Sequence, residues 1–141
     1  SISSSNLRKI IECCSYYRND CDKFIKKIAL FSEKIEIKNN SNKIIILNYS
    51  CFIKNIIIDN IENSISSITF YGEINISYQE IEFLFGEINS KYIARDNLYM
   101  FNVELIEYFP KCSINFFISE DKKTDDLWKN SNLENLAIFM L

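Results

Sequence analysis

The sequence predicts an α+β fold: an antiparallel or mixed sheet with a long N-terminal helical segment, a middle helix and a C-terminal helix packed on it. Three patterns in the 141 residues lead there. Apolar residues recur at three-and-four spacing near the N-terminus, period-two and β-branched runs follow one another through the middle and last third, and Ser-x-x-Glu motifs stand before two later apolar stretches. Neighbouring strand runs favour antiparallel or mixed pairing, with helices laid on a face.

The first third reads as helix because Leu7, Ile10, Ile11, Cys14, Tyr17, Cys21, Phe24, Ile25, Ile28 and Phe31 fall on one helical face. Ser5 or Asn6 can cap its start, and Asn19-Asp20, which favour caps over helix interiors, can divide it in two. Residues 34–38 alternate with period two, residues 39–42 are turn-formers, and residues 43–48 are apolar and β-branched, so a hairpin is expected. Residues 51–58 and 66–71 read as further strands, with a turn or short helix over 59–64. The isoleucine triplets at 44–46 and 56–58 imply strands covered on both faces, or a helix seated on one of them.

Ser77 and Glu80 form a capping box that opens the middle helix, whose apolar face is Ile81, Leu84 and Phe85. Gly86 is placed to end that helix at positive φ, and Gly72 permits a bend or a close backbone approach where the preceding strand ends. Tyr99, Phe101, Val103 and Leu105, then Cys112, Ile114, Phe116 and Ile118, alternate around a corner at Phe109-Pro110-Lys111 and give the clearest hairpin. A charged loop over 120–126 leads to Trp128. Ser131 with Glu134 makes a second capping box, before Leu133, Leu136, Ala137 and Met140 at helical spacing.

Composition narrows the function. A chain of this length with 48% hydrophobic residues can bury a core as one domain spanning 1–141. It contains no histidine, which closes the Ser-His, Cys-His and His-metal solutions near neutral pH. There is no glycine-rich phosphate loop, so no cofactor and no metal is expected. The net charge is −3 with Lys and Arg dispersed, which disfavours direct nucleic-acid binding. The five cysteines, odd in number and without a Cys-x-x-Cys pair, suit buried thiols in a reducing, cytoplasmic setting. No apolar run reaches the ~18 residues of a membrane span. The first residue is Ser rather than Met, which suggests a trimmed or processed product.

Carboxylate pairs at Glu80/Glu82, Glu104/Glu107 and Asp125/Asp126 read as solvated faces rather than acid–base dyads. Cys13-Cys14 lacks a base to activate a thiolate. The chain is therefore read as a binder and not an enzyme. Tyr and Trp anchor many interfaces. The candidate protein-binding residues are Trp128, Tyr108 and Tyr92 with the acidic side chains Glu120, Asp121, Asp125 and Asp126.

The segment from Tyr71-Gly72-Glu73 through Ser77-Tyr78 to Phe85-Gly86-Glu87, followed by a hairpin and Trp128, resembles a strand-Gly-capped-helix-Phe-Gly pattern in small hypothetical proteins of bacteria and their phages. In size, acidity and coding bias towards Ile, Asn and Lys, the whole chain resembles bacterial toxin-immunity proteins, including those of contact-dependent inhibition systems. That resemblance implies a cytoplasmic inhibitor that covers the active surface of a basic toxin or nuclease. Three other readings stay open: a viral or parasite host-interaction module, a structural subunit of a larger assembly, and a small carboxylate-dependent enzyme.

Overall fold

A computed structural model describes residues 4–28, 36–40, 42–47, 53–93, 97–107 and 111–141. Its centre is one eight-stranded antiparallel sheet. The strands are β1 (Glu36–Asn40), β2 (Lys43–Leu47), β3 (Ile53–Ile61), β4 (Ser64–Ser77), β5 (Asn89–Ile93), β6 (Leu98–Leu105), β7 (Cys112–Ser119) and β8 (Asn132–Met140). The helices are α1 (Ser4–Tyr16), α2 (Cys21–Ile28), α3 (Tyr78–Phe85) and the single turn α4 (Glu120–Lys123), with a 3-10 turn at Trp128–Asn130. Across the sheet the order is β1-β2-β3-β4-β8-β7-β6-β5. Each half of the chain runs helix first, then four strands from a sheet edge to the centre, and the halves meet along β4 and β8.

Register explains the core. Ile46, Ile56, Phe70, Leu136, Phe116 and Phe101 are successive cross-strand partners, and Ile44, Ile58, Ile68, Ile138, Ile114 and Val103 make a parallel second row. All are buried, and α1, α2 and α3 contribute Leu7, Ile10, Cys14, Phe24, Ile28 and Ile81 to the same cluster. The period of two puts alternate residues on the other face. There Ile45, Ile57, Asn102 and Asn115 are half-buried, and Asn102 Nδ2 donates to Ser113 Oγ at 2.7 Å and to Asn115 Oδ1 at 2.6 Å.

Three expectations are corrected: the protein is sheet-dominated, its N-terminal region is not one long helical segment, and its C-terminal segment is not a helix. α1 stops at Tyr16, and Asp20 caps α2 by accepting from the Lys23 N–H at 3.2 Å. The intervening turn is held by the tip of the β3–β4 hairpin. Glu62 and Asn63, with φ of 50° and 69°, form a two-residue turn whose Asn63 carbonyl accepts from the Cys21 N–H at 2.9 Å. The Ile65 N–H in turn donates to the Arg18 carbonyl at 2.7 Å. A continuous helix would forfeit these long-range bonds.

The third correction concerns the C-terminus, where the expected helix is strand β8. Asn135 adopts φ 46° and is an extra residue of β8 relative to β7, whose consecutive Phe116 and Phe117 pair with Leu136 and Glu134, while on its other side it stands opposite two residues of β4, Tyr71 and Gly72. This bulge lets both Leu133 and Leu136 reach the core, so a bent strand imitates the three-residue step of a helix. Gly72, at φ 129°, donates its N–H to Asn135 Oδ1 at 2.9 Å. Asn135→Ala should therefore cost about 2 kcal/mol, by straining a left-handed position and orphaning a backbone amide. Asn135→Gly should cost less. Urea unfolding of the two variants checks this, and an alanine no worse than glycine would show that φ is not what Asn135 supplies.

α3 opens with the expected capping box. Ser77 Oγ accepts from the Glu80 N–H at 3.2 Å, and Glu80 Oε2 accepts from the Ser77 N–H at 2.8 Å. It ends at Gly86, φ 85°, whose N–H bonds the Glu82 carbonyl. The β6–β7 hairpin also stands as read, although Phe109 and Pro110 of its corner lie outside the described residues. β5 was not among the expected strands.

Candidate functional site

The candidate acidic residues form a lobe between β7 and β8 that is built from consecutive tight turns. Ser119 caps α4, Thr124 Oγ1 donates to the Asp121 carbonyl at 2.6 Å, and Asp125 Oδ1 accepts from the Leu127 N–H at 2.8 Å. The Trp128 N–H then bonds the Asp125 carbonyl and the Ser131 N–H bonds that of Trp128, both at 3.1 Å. The Glu120 N–H donates to Asn97 at 2.9 Å, which ties the lobe to the turn before β6. Short polar side chains bonding nearby backbone are what make such a run rigid without burial.

Under the lobe lies an aromatic floor. The Trp128 ring stacks on Phe101 at 5.7 Å and 14°, and leans on Tyr78 at 4.9 Å; Tyr78 also meets Phe101 edge-on at 5.0 Å. Trp128 is therefore half-buried and closes this end of the core while keeping an accessible rim. Lysines are drawn to the floor. Lys123 Nζ sits 3.9 Å from the Tyr99 ring centre, and Lys122 pairs with Glu134 at 3.0 Å. Glu120, Asp121, Asp125 and Asp126 are all exposed, and share the outward surface with exposed Leu127 and Lys129.

The structure thus brings Trp128 together with the four acidic candidates. Tyr92 belongs to β5 and pairs in register with Tyr99, whose ring carries Lys123, so its backbone adjoins the lobe. Tyr108 lies outside the described residues. Of the carboxylate pairs, Glu80 is engaged in the α3 cap, and Glu82, Glu104 and Glu107 are exposed. Among the described residues no group of three metal-ligating side chains occurs, and no helix is long and apolar enough to cross a membrane.

Phe83 is a residue the sequence reading passed over. It is 90% exposed on α3, beside a groove of about 650 Å³ where β4 and β8 part and α3 begins. The signal was available: Phe83 falls off the face formed by Ile81, Leu84 and Phe85, and an apolar residue off the apolar face of a short helix marks a candidate contact.

The described cysteines Cys14, Cys21 and Cys112 are buried and Cys13 is half-buried. Burial pushes the Cys21 and Cys112 thiols up to about 11 and raises Cys14 further against ionisation, with Cys112 and Cys13 beside it adding to the effect. Unfolded thiols ionise near pH ~8.5, so from there to about pH 11 the unfolded chain loses protons that the folded one keeps. Stability should fall across that window, and Cys112→Ala should flatten the decline by about one proton. Urea midpoints at pH 8 and pH 10 measure it; equal slopes in both proteins would assign the decline to other groups.

Comparison with protein-family models, with curated proteins and with solved structures finds no match to this chain, so its function is argued from the site itself.

Proposed function

We propose that the protein is a non-enzymatic, cytoplasmic inhibitor of the immunity type, which neutralises a basic toxin or nuclease by covering its active surface. The observation that supports this best is the lobe over residues 119–131, where four exposed carboxylates are held by successive turns around a half-buried tryptophan. Carboxylates displayed this way offer acceptors to the Arg and Lys side chains that line a phosphate-handling cleft. Because backbone and Asx-type bonds already fix the lobe, little ordering cost falls on association. The rim of Trp128 supplies the apolar centre that carboxylates alone lack.

The test is direct binding between the purified chain and each protein encoded beside its gene, followed by calorimetry at low and high salt. A basic partner should bind with an affinity that weakens steeply as salt rises, and its activity should be blocked in the complex. Lack of binding by every neighbouring product, or binding that leaves the partner fully active, would remove the proposal.

A further inference from the structure

The groove beside Phe83 adjoins the lobe through Asn130 but differs from its acidic face in chemistry. We infer that it is a binding site for a neutral oligosaccharide, with Phe83 as the stacking platform and the carboxamides of Asn75, Gln79 and Asn130 as hydrogen-bonding partners. Its volume of about 650 Å³ is in the range of small-ligand sites. It opens where the β4–β8 register shifts between Ile74 and Ser77, so it is set by the sheet's own bulge and by the first turns of α3.

The lining selects by elimination. An anion is disfavoured: the Glu80 amide of the first turn of α3 is engaged by the cap, and the Glu80 carboxylate stands in the wall. A metal ion is disfavoured as well, since Glu80 already accepts from Ser77 and among the described residues no acidic cluster joins it. An extended peptide would want an open strand edge, an apolar groove or an arginine cluster. Here both β4 and β8 are paired on each side, and the wall has one aromatic ring.

What the groove does offer is paired donors and acceptors. Asn75, Gln79 and Asn130 are exposed and make no side-chain hydrogen bond among the described residues. Each carboxamide donates through its NH₂ and accepts through its C=O. Adjacent sugar hydroxyls present the same two functions, and the C–H face of a pyranose ring is the apolar surface that fits an open phenyl face. The 90% exposure of Phe83 has no counterpart in the core, where the other α3 aromatics Tyr78 and Phe85 are drawn inwards.

The full chain should be titrated with chitohexaose, cellohexaose and maltohexaose, and with a neutral Ser/Gly/Asn peptide of equal length, following the side-chain amide signals by NMR. At least one hexasaccharide should shift Asn75, Gln79 and Asn130 saturably with a Kd of about 1 mM or tighter. Phe83→Ala should weaken that binding at least about tenfold. Because Phe83 is exposed, the variant keeps its fold, which its unchanged backbone spectrum verifies. A variant with the four lobe carboxylates neutralised should bind the sugar as before, which separates this site from the acidic face of the lobe. No saturable shift with any hexasaccharide, saturation by the peptide alone, or undiminished binding by Phe83→Ala would each overturn the inference.

Discussion

Phe116→Ala is expected to lower the unfolding free energy by about 4 kcal/mol, a large share of the roughly 5–15 kcal/mol available to a domain. Phe116 is fully buried on β7, between Leu136 of β8 and Phe101 of β6 in register. Its ring stacks on Phe101 at 5.4 Å and meets Tyr78 at 6.2 Å, so the cavity would open where α3 and the sheet join. Collapse into the void is opposed by strands paired on both sides, which keeps the cost near the upper part of the range for such truncations. Trp128 is the only tryptophan and rests on Phe101, so its fluorescence reports both unfolding and loosening of the lobe. Phe83→Ala should stay within about 0.5 kcal/mol of the parent, because its ring is 90% exposed. Equal losses for the two phenylalanines in denaturant unfolding would mean that the cross-strand row is not the core.

The contrast between these two phenylalanines also marks how far the sequence could be read. Phe116 alternates with Cys112, Ile114 and Ile118 in an uninterrupted strand, so period and burial agree and the hairpin was legible. α3 was legible for a similarly local reason, since its cap, apolar face and terminating glycine are all within ten residues. β8 was not. Its inward residues change phase at Asn135, and the bond from Gly72 that stabilises the bulge comes from 63 positions away. At the N-terminus the division at Asn19-Asp20 was legible from its cap-favouring residues, whereas the bonds from Asn63 of the hairpin tip that hold the turn were not. Local patterns carried the elements that are stabilised locally, whereas long-range backbone bonds decided the others. At the candidate site, the acids and Trp128 could be picked out because they are contiguous. The inward turn of Lys122 and Lys123, which leaves the four carboxylates more exposed than these two lysines, follows from Glu134 and Tyr99 on other strands.

That inward turn fixes what neutralising the lobe should do. A variant combining Glu120→Gln, Asp121→Asn, Asp125→Asn and Asp126→Asn is expected to slow association with a basic partner about hundredfold at low ionic strength. Most of that difference should disappear at high salt, because exposed charges act mainly through the long-range field. The folded lobe should survive the change. Asparagine at 125 keeps the Oδ1 that accepts from Leu127, and the remaining turns are bonded through the backbone and through Thr124. Stability should therefore move by no more than about 1 kcal/mol. Trp128→Ala should act differently, raising the dissociation rate with little effect on the approach, since a half-buried aromatic anchor contributes after contact. Stopped-flow association with the four-fold variant and dissociation with the Trp128 variant resolve the two roles. If neutralisation instead left association unchanged at low salt, the carboxylates would be solvation for a short loop, and the partner's docking would have to rest on an apolar surface.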